Sequence, residues 1–199
     1  MSQPKTLLEM AGADVTPNAL SDSTLVLIDC QIEYVTGAVP LPGVGDALAE
    51  AGKVLARARV AAAPVVHIVH QGQAVGAFDL DGEGGQIAPQ VVQSGDETII
   101  RKGLPNAFAG TTLHDKLQEL ESKNLILVGF MTHMCVSASV RAALDLGYRS
   151  TLVSGAAATR DLPTPSGGVI DAASLHDASL AAIADRFAII VQSADQLPD

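Results

Sequence analysis

The sequence has no tryptophan and few side chains that could hold a polyanion. Aromatic residues make up only 3% of the 199 residues, and 12 Lys and Arg stand against 22 Asp and Glu, which gives a formal net charge of −10. A nucleic-acid backbone or an anionic membrane would meet like charge over most of such a surface. The composition therefore excludes both as expected partners and favours a small molecule.

Long apolar runs are also missing. A membrane-spanning helix needs about 18 or more consecutive apolar residues, and no run in this chain approaches that length. The segment from Met1 to Ser23 is mixed and polar, without the basic start and apolar centre of a signal peptide. We expect neither element here, and hence a cytoplasmic protein.

Cysteine is scarce, with only Cys30 and Cys135 in the chain. Two distant cysteines make a poor disulfide framework and match no metal-binding spacing. We expect both to be free thiols, as in a reducing compartment.

Apolar residues are abundant instead, at 48% against 17% charged. A chain of this length usually forms one domain, so we expect a single domain over residues 1–199. The low charged fraction indicates a sheet that is covered on both faces. It also favours an apolar interface between subunits, and we expect a homodimer or a larger homo-oligomer.

Short β-branched and Leu-rich runs alternate with Ala/Leu-rich segments of helical period. The predicted strands are Thr24 to Asp29, Val65 to Val69, Thr98 to Arg101, Leu125 to Val128, Ser150 to Val153 and Phe187 to Val191. The predicted helices are Val44 to Ala61, Thr111 to Glu121, His133 to Leu146 and Ile170 to Ala184. This alternation predicts an α/β fold, a three-layer α/β/α sandwich with a mainly parallel, Rossmann-like six-stranded sheet.

Two irregular stretches interrupt this pattern, Gln71 to Glu97 and Ala158 to Gly168. Long loops in a compact domain are often functional. We interpret them as candidate walls or lids of a pocket, with plain solvent loops as the alternative.

Three reactive side chains fall at predicted strand ends, where ligands bind in open α/β sheets. Asp29 closes the first strand, Lys102 follows the third and Cys135 follows the fourth. Singly, each has an ordinary explanation: a cap, a solvated lysine and a small buried residue. Together, a base, a cation and a thiol are what a cysteine hydrolase needs.

Cys135 is also predicted to lie in the first turn of a helix. The amide groups and positive dipole end at that position favour thiolate over thiol, and the same amides can receive a developing oxyanion. We expect Cys30, by contrast, to be an unreactive control.

The chain resembles the isochorismatase-like cysteine hydrolases over roughly Thr24 to Val191. The matching motifs are LIDCQ at Leu27 to Gln31, NAFAGTTL at Asn106 to Leu113 after a lysine, and GFMTHMCV at Gly129 to Val136. This superfamily includes nicotinamidases and N-carbamoylsarcosine amidases. The resemblance implies that Asp29, Lys102 and Cys135 form a catalytic triad.

It further implies a cis peptide bond between Phe130 and Met131, which aims the amides of Met131 and Cys135 at the oxyanion. We also identify His70, Phe108 and His133 as candidate substrate-binding residues. The evidence for these three is weaker, since His133 could equally face away from the pocket.

One departure from the family concerns metal. Nicotinamidases bind an ion through an Asp-x-His and a second His after the second strand, but this chain reads HQGQA from His70. His67 and His70 are three apart on a strand and point to opposite faces, so they cannot share an ion. We expect no metal and no cofactor.

The resulting hypothesis is a hydrolase that cleaves the C–N bond of a small amide or carbamoyl compound through a thioester on Cys135. Two alternatives stay open. In one, Asp29 acts as acid or base in the hydrolysis of a vinyl ether or an ester. In the other, the domain is not catalytic and binds a metabolite or assembles with partners.

Overall fold

The apolar runs form the strands of one central sheet in the computed structural model, which describes residues 3–199. In chain order the strands are β1 (Ser23–Ile28), β2 (Val65–His70), β3 (Thr98–Lys102), β4 (Asn124–Phe130), β5 (Arg149–Ala158), β6 (Leu162–Pro163), β7 (Val169–Ile170) and β8 (Ile189–Val191). Strands β6 and β7 form a separate antiparallel ribbon.

The central sheet has the order β3-β2-β1-β4-β5-β8, and every neighbouring pair is parallel. The predicted fold class is therefore confirmed. The largest error in a strand end is at β5, which continues from Val153 to Ala158. The β4–β5 register shifts between Leu127 and Gly129, and β5 pairs again beyond that irregularity.

Helices connect the strands and cover both faces of the sheet. They are α1 (Leu7–Met10), α2 (Val44–Val60), α3 (Leu113–Glu119), α4 (Ser137–Asp145) and α5 (Ala172–Ala184). Helix α5 starts later than predicted because the Asp171 side chain accepts the Ser174 N–H and caps it. Ile170, which we placed in this helix, pairs in β7 instead.

Alternation along β1 divides the apolar core into two layers. Leu25 and Leu27 pack in the cluster that contains the buried face of α2. Val26 and Ile28 point to the other side and pack in the cluster that contains residues of α3, α4 and α5. This arrangement gives the three layers, and the carboxyl edge of the sheet is left for the connecting loops.

The helices of this fold are short. Within the described part of the chain, no helix is both long and apolar enough to cross a membrane.

Candidate active site

The carboxyl ends of β1, β3 and β4 bring three reactive side chains together. Asp29 follows β1, Lys102 ends β3, and Cys135 lies in the turn after β4. The Nζ atom of Lys102 is 2.6 Å from Asp29 Oδ2 and 3.4 Å from Cys135 Sγ. All three residues are at most 4% exposed. The ammonium group is thus shared between a buried carboxylate and a buried thiol.

The backbone at Asp29 leaves the strand abruptly. Its φ of 51° lies in the left-handed region, where aspartate is one of the better tolerated residues. Its N–H donates to Ile68 O at 2.9 Å, which ties this turn to β2. Because of this turn, Cys30 packs in the same core layer as Leu27, although strict alternation along β1 would place it on the opposite side.

The pKa of the Asp29 carboxyl group lies close to neutral pH. Burial raises its pKa to about 6, and the charge of Lys102 opposes that rise. Hydrogen bonds from Lys102, whose Nζ lies 2.6 Å from Oδ2, and from Cys135 and the His70 backbone also oppose the rise. A base with a pKa close to the working pH is suited to proton transfer.

The pKa of the Cys135 thiol differs from what we expected. Burial raises its pKa to about 12, the negative charge of Asp29 adds to the rise, and Lys102 opposes it. The prediction that Cys135 is a thiolate at rest is therefore wrong, because burial and the Asp29 carboxylate outweigh the charge of Lys102. Cys135 is a protonated thiol that needs a base as it reacts.

Cys135 is carried by a π-helical turn, Thr132–Val136, that precedes α4. The N–H of Val136 donates to Met131 O, five residues back, at 3.2 Å. Turns of this kind occur often at functional sites. The sequence predicted a continuous helix here, and the wider turn is a local feature that the apolar period does not reveal.

The strand before this turn has the backbone geometry that the resemblance implied. The Phe130–Met131 peptide bond is cis. The preceding Gly129 has φ +120°, and a Cβ at this position would lie 2.0 Å from Ile28 O, so only glycine allows this close approach of β4 to β1. An oxyanion hole formed by the amides of Met131 and Cys135 stays a prediction.

His70 lies beside the triad. Its Nδ1 atom is 3.3 Å from Lys102 Nζ, and its ring packs edge-on against Phe78 with centroids 5.1 Å apart. Burial, followed by the charge of Lys102, lowers its pKa, so the neutral ring can accept a hydrogen bond from the ammonium. The Gln31 side chain holds the His70 backbone by accepting from its N–H and donating to its C=O. A role of His70 in substrate binding stays a prediction.

Phe108 and His133 have packing partners of their own. The Phe108 ring stacks on Tyr148 at 5.9 Å, and it packs against the core layer that contains Cys135. The Nδ1 atom of His133 is hydrogen bonded to Thr159 Oγ1, while its Nε2 is buried without a partner among residues 3–199. Their roles in substrate binding also stay predictions.

Sequence reasoning missed Tyr34 as a site residue. Its buried ring packs edge-on against Phe78 and Phe130. Burial raises the pKa of its hydroxyl, the charge of Asp29 adds to the rise, and the Arg160 guanidinium opposes it. Through Phe78, which also packs against His70, the Tyr34 ring is connected to the side chains beside Lys102. The sequence offered no signal of this, since Tyr34 lies in an irregular turn without a period.

The two irregular segments both contribute to this edge. Phe78, from the first, contacts Tyr34 and His70. Thr159, from the second, is hydrogen bonded to His133, two residues before Cys135. Each segment therefore contacts a residue close to the three reactive side chains, and their role as walls of a pocket stays a prediction.

Comparison with known proteins gives this site a family. The isochorismatase domain matches residues 23–195, nearly the whole chain. The chain belongs to the isochorismatase family. Isochorismatase-family proteins of this kind are hydrolases, so the predicted enzyme class is confirmed.

Similar proteins cover the isochorismatase domain from end to end. A crystal structure of an isochorismatase from Pseudomonas putida KT2440 superposes with a TM-score of 0.93 at 42% identity, covering 98% of this chain and 100% of that one. The secreted isochorismatase effector Isc1 of Verticillium dahliae is 32% identical over 94% of this chain and 96% of its own length. A streptothricin hydrolase of Streptomyces noursei is 37% identical over 70% of this chain and 50% of its own.

Within the described residues, no group of three or more His, Cys, Asp or Glu side chains is placed to hold an ion. His67 instead contacts Glu97, with Nε2 3.0 Å from Oε2, and Glu97 also pairs with Arg59. This network links β2 and α2 through Glu97, which directly precedes β3.

Proposed function

We propose that the protein hydrolyses the C–N bond of a small amide or carbamoyl compound through a thioester on Cys135. The observation that carries this proposal is the position of the Lys102 ammonium, 2.6 Å from the Asp29 carboxylate and 3.4 Å from the Cys135 thiol. A nucleophile, a base and a cation in contact satisfy the requirements of covalent acyl transfer. Kinship to a streptothricin hydrolase supports a hydrolytic reaction.

The first half of the reaction forms the thioester. Asp29 removes the thiol proton while Sγ of Cys135 bonds to the acyl carbon, and the carbonyl electron pair moves onto oxygen. The oxyanion then collapses, the C–N bond breaks, and protonated Asp29 gives its proton to the leaving nitrogen. The Lys102 ammonium stays charged throughout and offsets the negative charge that passes between sulfur, carboxylate and oxyanion.

The second half releases the acid. Asp29 removes a proton from water as the water oxygen bonds to the thioester carbon. The C–S bond breaks, and the proton returns from Asp29 to the sulfur of Cys135. One water is consumed, and one amine or ammonia and one acid are formed.

The decisive test compares the two cysteines. Ammonia release is measured over a panel of small primary amides and carbamoyl compounds for wild type, Cys135→Ser and the matched control Cys30→Ala. Loss of the nucleophile lowers kcat by about a thousandfold or more, whereas the control keeps wild-type turnover. Turnover that survives in Cys135→Ser would rule out the thioester route.

A second function is favoured by one observation, the raised pKa of Asp29 near 6. At mildly acidic pH a substantial fraction of this side chain is protonated and could donate directly to a vinyl ether or assist ester hydrolysis. Activity on such substrates that persists in Cys135→Ser and disappears in Asp29→Asn would select this route over the thioester.

We further propose that the protein works in the cytoplasm as a homodimer or larger homo-oligomer. Exposed valines support self-association, since Val75 in the first irregular segment is 98% exposed and Val169 in β7 is 71% exposed. The acidic net charge supports a small-molecule substrate over a nucleic acid or membrane partner.

A further inference from the structure

Arg160 is a cation without a counter-ion beside the proposed catalytic centre. Its side chain is partly buried, and its Nε has no solvent contact and no hydrogen-bond partner within residues 3–199. No acidic side chain in this part of the chain forms an ion pair with its guanidinium. The adjacent Asp161 is engaged elsewhere, accepting the N–H of Ala172 at 2.8 Å.

The position of Arg160 is fixed by its neighbour in sequence. Thr159 is fully buried, and its hydroxyl is hydrogen bonded to Nδ1 of His133. His133 in turn lies two residues before Cys135, in the same π-helical turn. Burial and then the charge of Arg160 lower the pKa of His133, and the same charge acts on the hydroxyl of Tyr34. Arg160 thus directly follows the residue whose side chain contacts His133, in the turn that carries Cys135.

His133 supplies a second unused group. Its Nε2 is buried and unpartnered in the described structure. When Thr159 donates to Nδ1, the ring proton is on Nε2, which becomes a hydrogen-bond donor. Arg160 and His133, which are connected through Thr159, then both offer donors, and within residues 3–199 neither Arg160 Nε nor His133 Nε2 has an acceptor.

An unpaired, partly desolvated cation destabilises the folded protein. With a net charge of −10, the chain has more than enough Asp and Glu side chains to pair with it. The absence of a protein acid at Arg160 is explained when the anion comes from the ligand. A planar guanidinium binds carboxylate through two parallel hydrogen bonds, which gives orientation as well as affinity.

We propose that Arg160 and His133 bind a carboxylate carried by the substrate, so that the preferred substrates are anionic amides or carbamoyl compounds. This inference rests on the proposed function, because it assigns the subsite to the molecule that Cys135 attacks. The carboxylate orients the substrate and leaves its amide free to face the thiol.

The test uses two alkylating agents of similar size, iodoacetate and iodoacetamide, which differ in the carboxylate. Rates at each cysteine are followed by peptide mass spectrometry in wild type, Arg160→Gln and Arg160→Lys. Arg186→Gln is the matched control, since this exposed arginine lies between α5 and β8, at the opposite edge of the sheet. Cys30 reports general reactivity within each molecule.

Wild type should prefer iodoacetate at Cys135, and Arg160→Gln should lower the iodoacetate to iodoacetamide ratio by about tenfold or more. Arg160→Lys should keep part of the preference, and the control should keep all of it. A ratio that is unchanged in Arg160→Gln overturns the subsite while leaving the nucleophile intact. If the protonated Cys135 thiol reacts as slowly as Cys30 with both reagents, the melting-temperature comparison that follows decides the subsite.

A second measurement decides the subsite whatever the reactivity of Cys135. Melting temperatures of Cys135→Ser are recorded with succinamate and with succinamide, which differ in one carboxylate. The structure predicts a larger stabilisation by succinamate, which disappears when Arg160→Gln is added. Equal stabilisation by the two probes, or a preference that survives in the double variant, contradicts the proposal.

Discussion

At the scale of single residues, the pKa values of Asp29 and Cys135 determine which of the two side chains is protonated near neutral pH. The pKa of Asp29 is raised to about 6, and that of Cys135 to about 12. Near neutral pH the carboxylate is mostly ionised and the thiol is protonated. In the proposed reaction the thiolate therefore forms only as the sulfur attacks, and the protonated thiol is protected from oxidants in the resting state.

The pKa of Asp29 predicts how kcat/KM depends on pH in the acidic range. Because the base must be ionised, kcat/KM for the best substrate should rise with pH through an apparent pKa near 6 and then level off. Initial rates across the acidic and neutral range measure it. An acid limb with an apparent pKa near 4, as expected for an ordinary carboxylate, would contradict the role of Asp29 as the base.

The buried ion pair makes a second prediction, on stability. Asp29→Asn or Lys102→Met leaves one buried group unpaired and should lower the free energy of unfolding by about 3–5 kcal/mol each. The double variant removes both groups and should lose less than the sum of the single losses. Urea unfolding of the four proteins measures the coupling, and additive losses would show that the pair does not interact.

The same pair gives a pH dependence with a definite sign. Without the ammonium that lowers it, the pKa of Asp29 rises further above its unfolded value. A group with a raised pKa favours folding at low pH, and this contribution is lost as pH rises through the folded pKa. The deficit of Lys102→Met should therefore be smaller at about pH 5 than at about pH 8.

How far the sequence predicts these residues depends on where they lie. Asp29, Lys102 and Cys135 each follow an apolar run, and parallel strands necessarily bring such positions to one edge. Tyr34 and Arg160 lie in irregular segments, where no period tells which way a side chain points. Arg160 was visible as a loop residue, but its inward direction depends on the buried contact of its neighbour.

At the scale of elements, the loop after β2 is held to the site by one side chain. The buried Gln31 amide donates to the carbonyls of His70 and Gly85 at 3.0 and 2.9 Å, and it accepts the His70 N–H at 2.8 Å. Three backbone groups thus depend on one residue directly after β1. The segment from Gln71 keeps its place because this amide satisfies groups that would otherwise be unpaired.

Gln31→Leu should release that segment. Each buried backbone group left unsatisfied costs about 1–3 kcal/mol, so the loop should open locally before the domain unfolds. Hydrogen exchange in residues 71–86 should accelerate, while exchange in β4 changes little. Gln93→Leu, which removes only hydrogen bonds to the carbonyls of Gly95 and Glu97, is the control. Unchanged exchange in residues 71–86 would show that Gln31 does not restrain the loop.

Element ends were predictable where a cap or a period marked them and not elsewhere. The start of α2 at Val44 agrees with the apolar period, and its end at Val60 differs by one residue. The extension of β5 to Ala158 lies beyond the irregularity in the β4–β5 register. No pattern of side chains in the sequence predicts that β5 pairs with β4 again there. The π-helical turn is likewise set by how the chain leaves β4, a tertiary property.

At the scale of the whole molecule, composition predicted the layered architecture through a shortage of charge. With 17% charged residues, the chain must cover both sheet faces, and the two core layers do so. Helix α5 then leaves a mostly apolar outer surface, with only Ile183 fully buried among its 13 residues. A surface of small apolar residues suits contact with a second subunit.

The corresponding prediction concerns mass in solution. Light scattering after size exclusion should give at least twice the 20.4 kDa of one chain. Because the contact is apolar, the oligomer should persist at high salt, where screening removes repulsion between the acidic subunits. A mass of 20.4 kDa over a wide concentration range would contradict the oligomer.

The central claim, covalent catalysis by Cys135, is tested most directly by trapping the acyl-enzyme. The best amide from the panel is mixed with the enzyme, and the reaction is quenched in acid within milliseconds to seconds. The protein is then digested, and the masses of the two cysteine-containing peptides are measured by mass spectrometry. We predict an added acyl group on the Cys135 peptide, absent from the Cys30 peptide and from Cys135→Ser. Turnover that leaves Cys135 unmodified at every time, and continues in Cys135→Ser, would contradict the account.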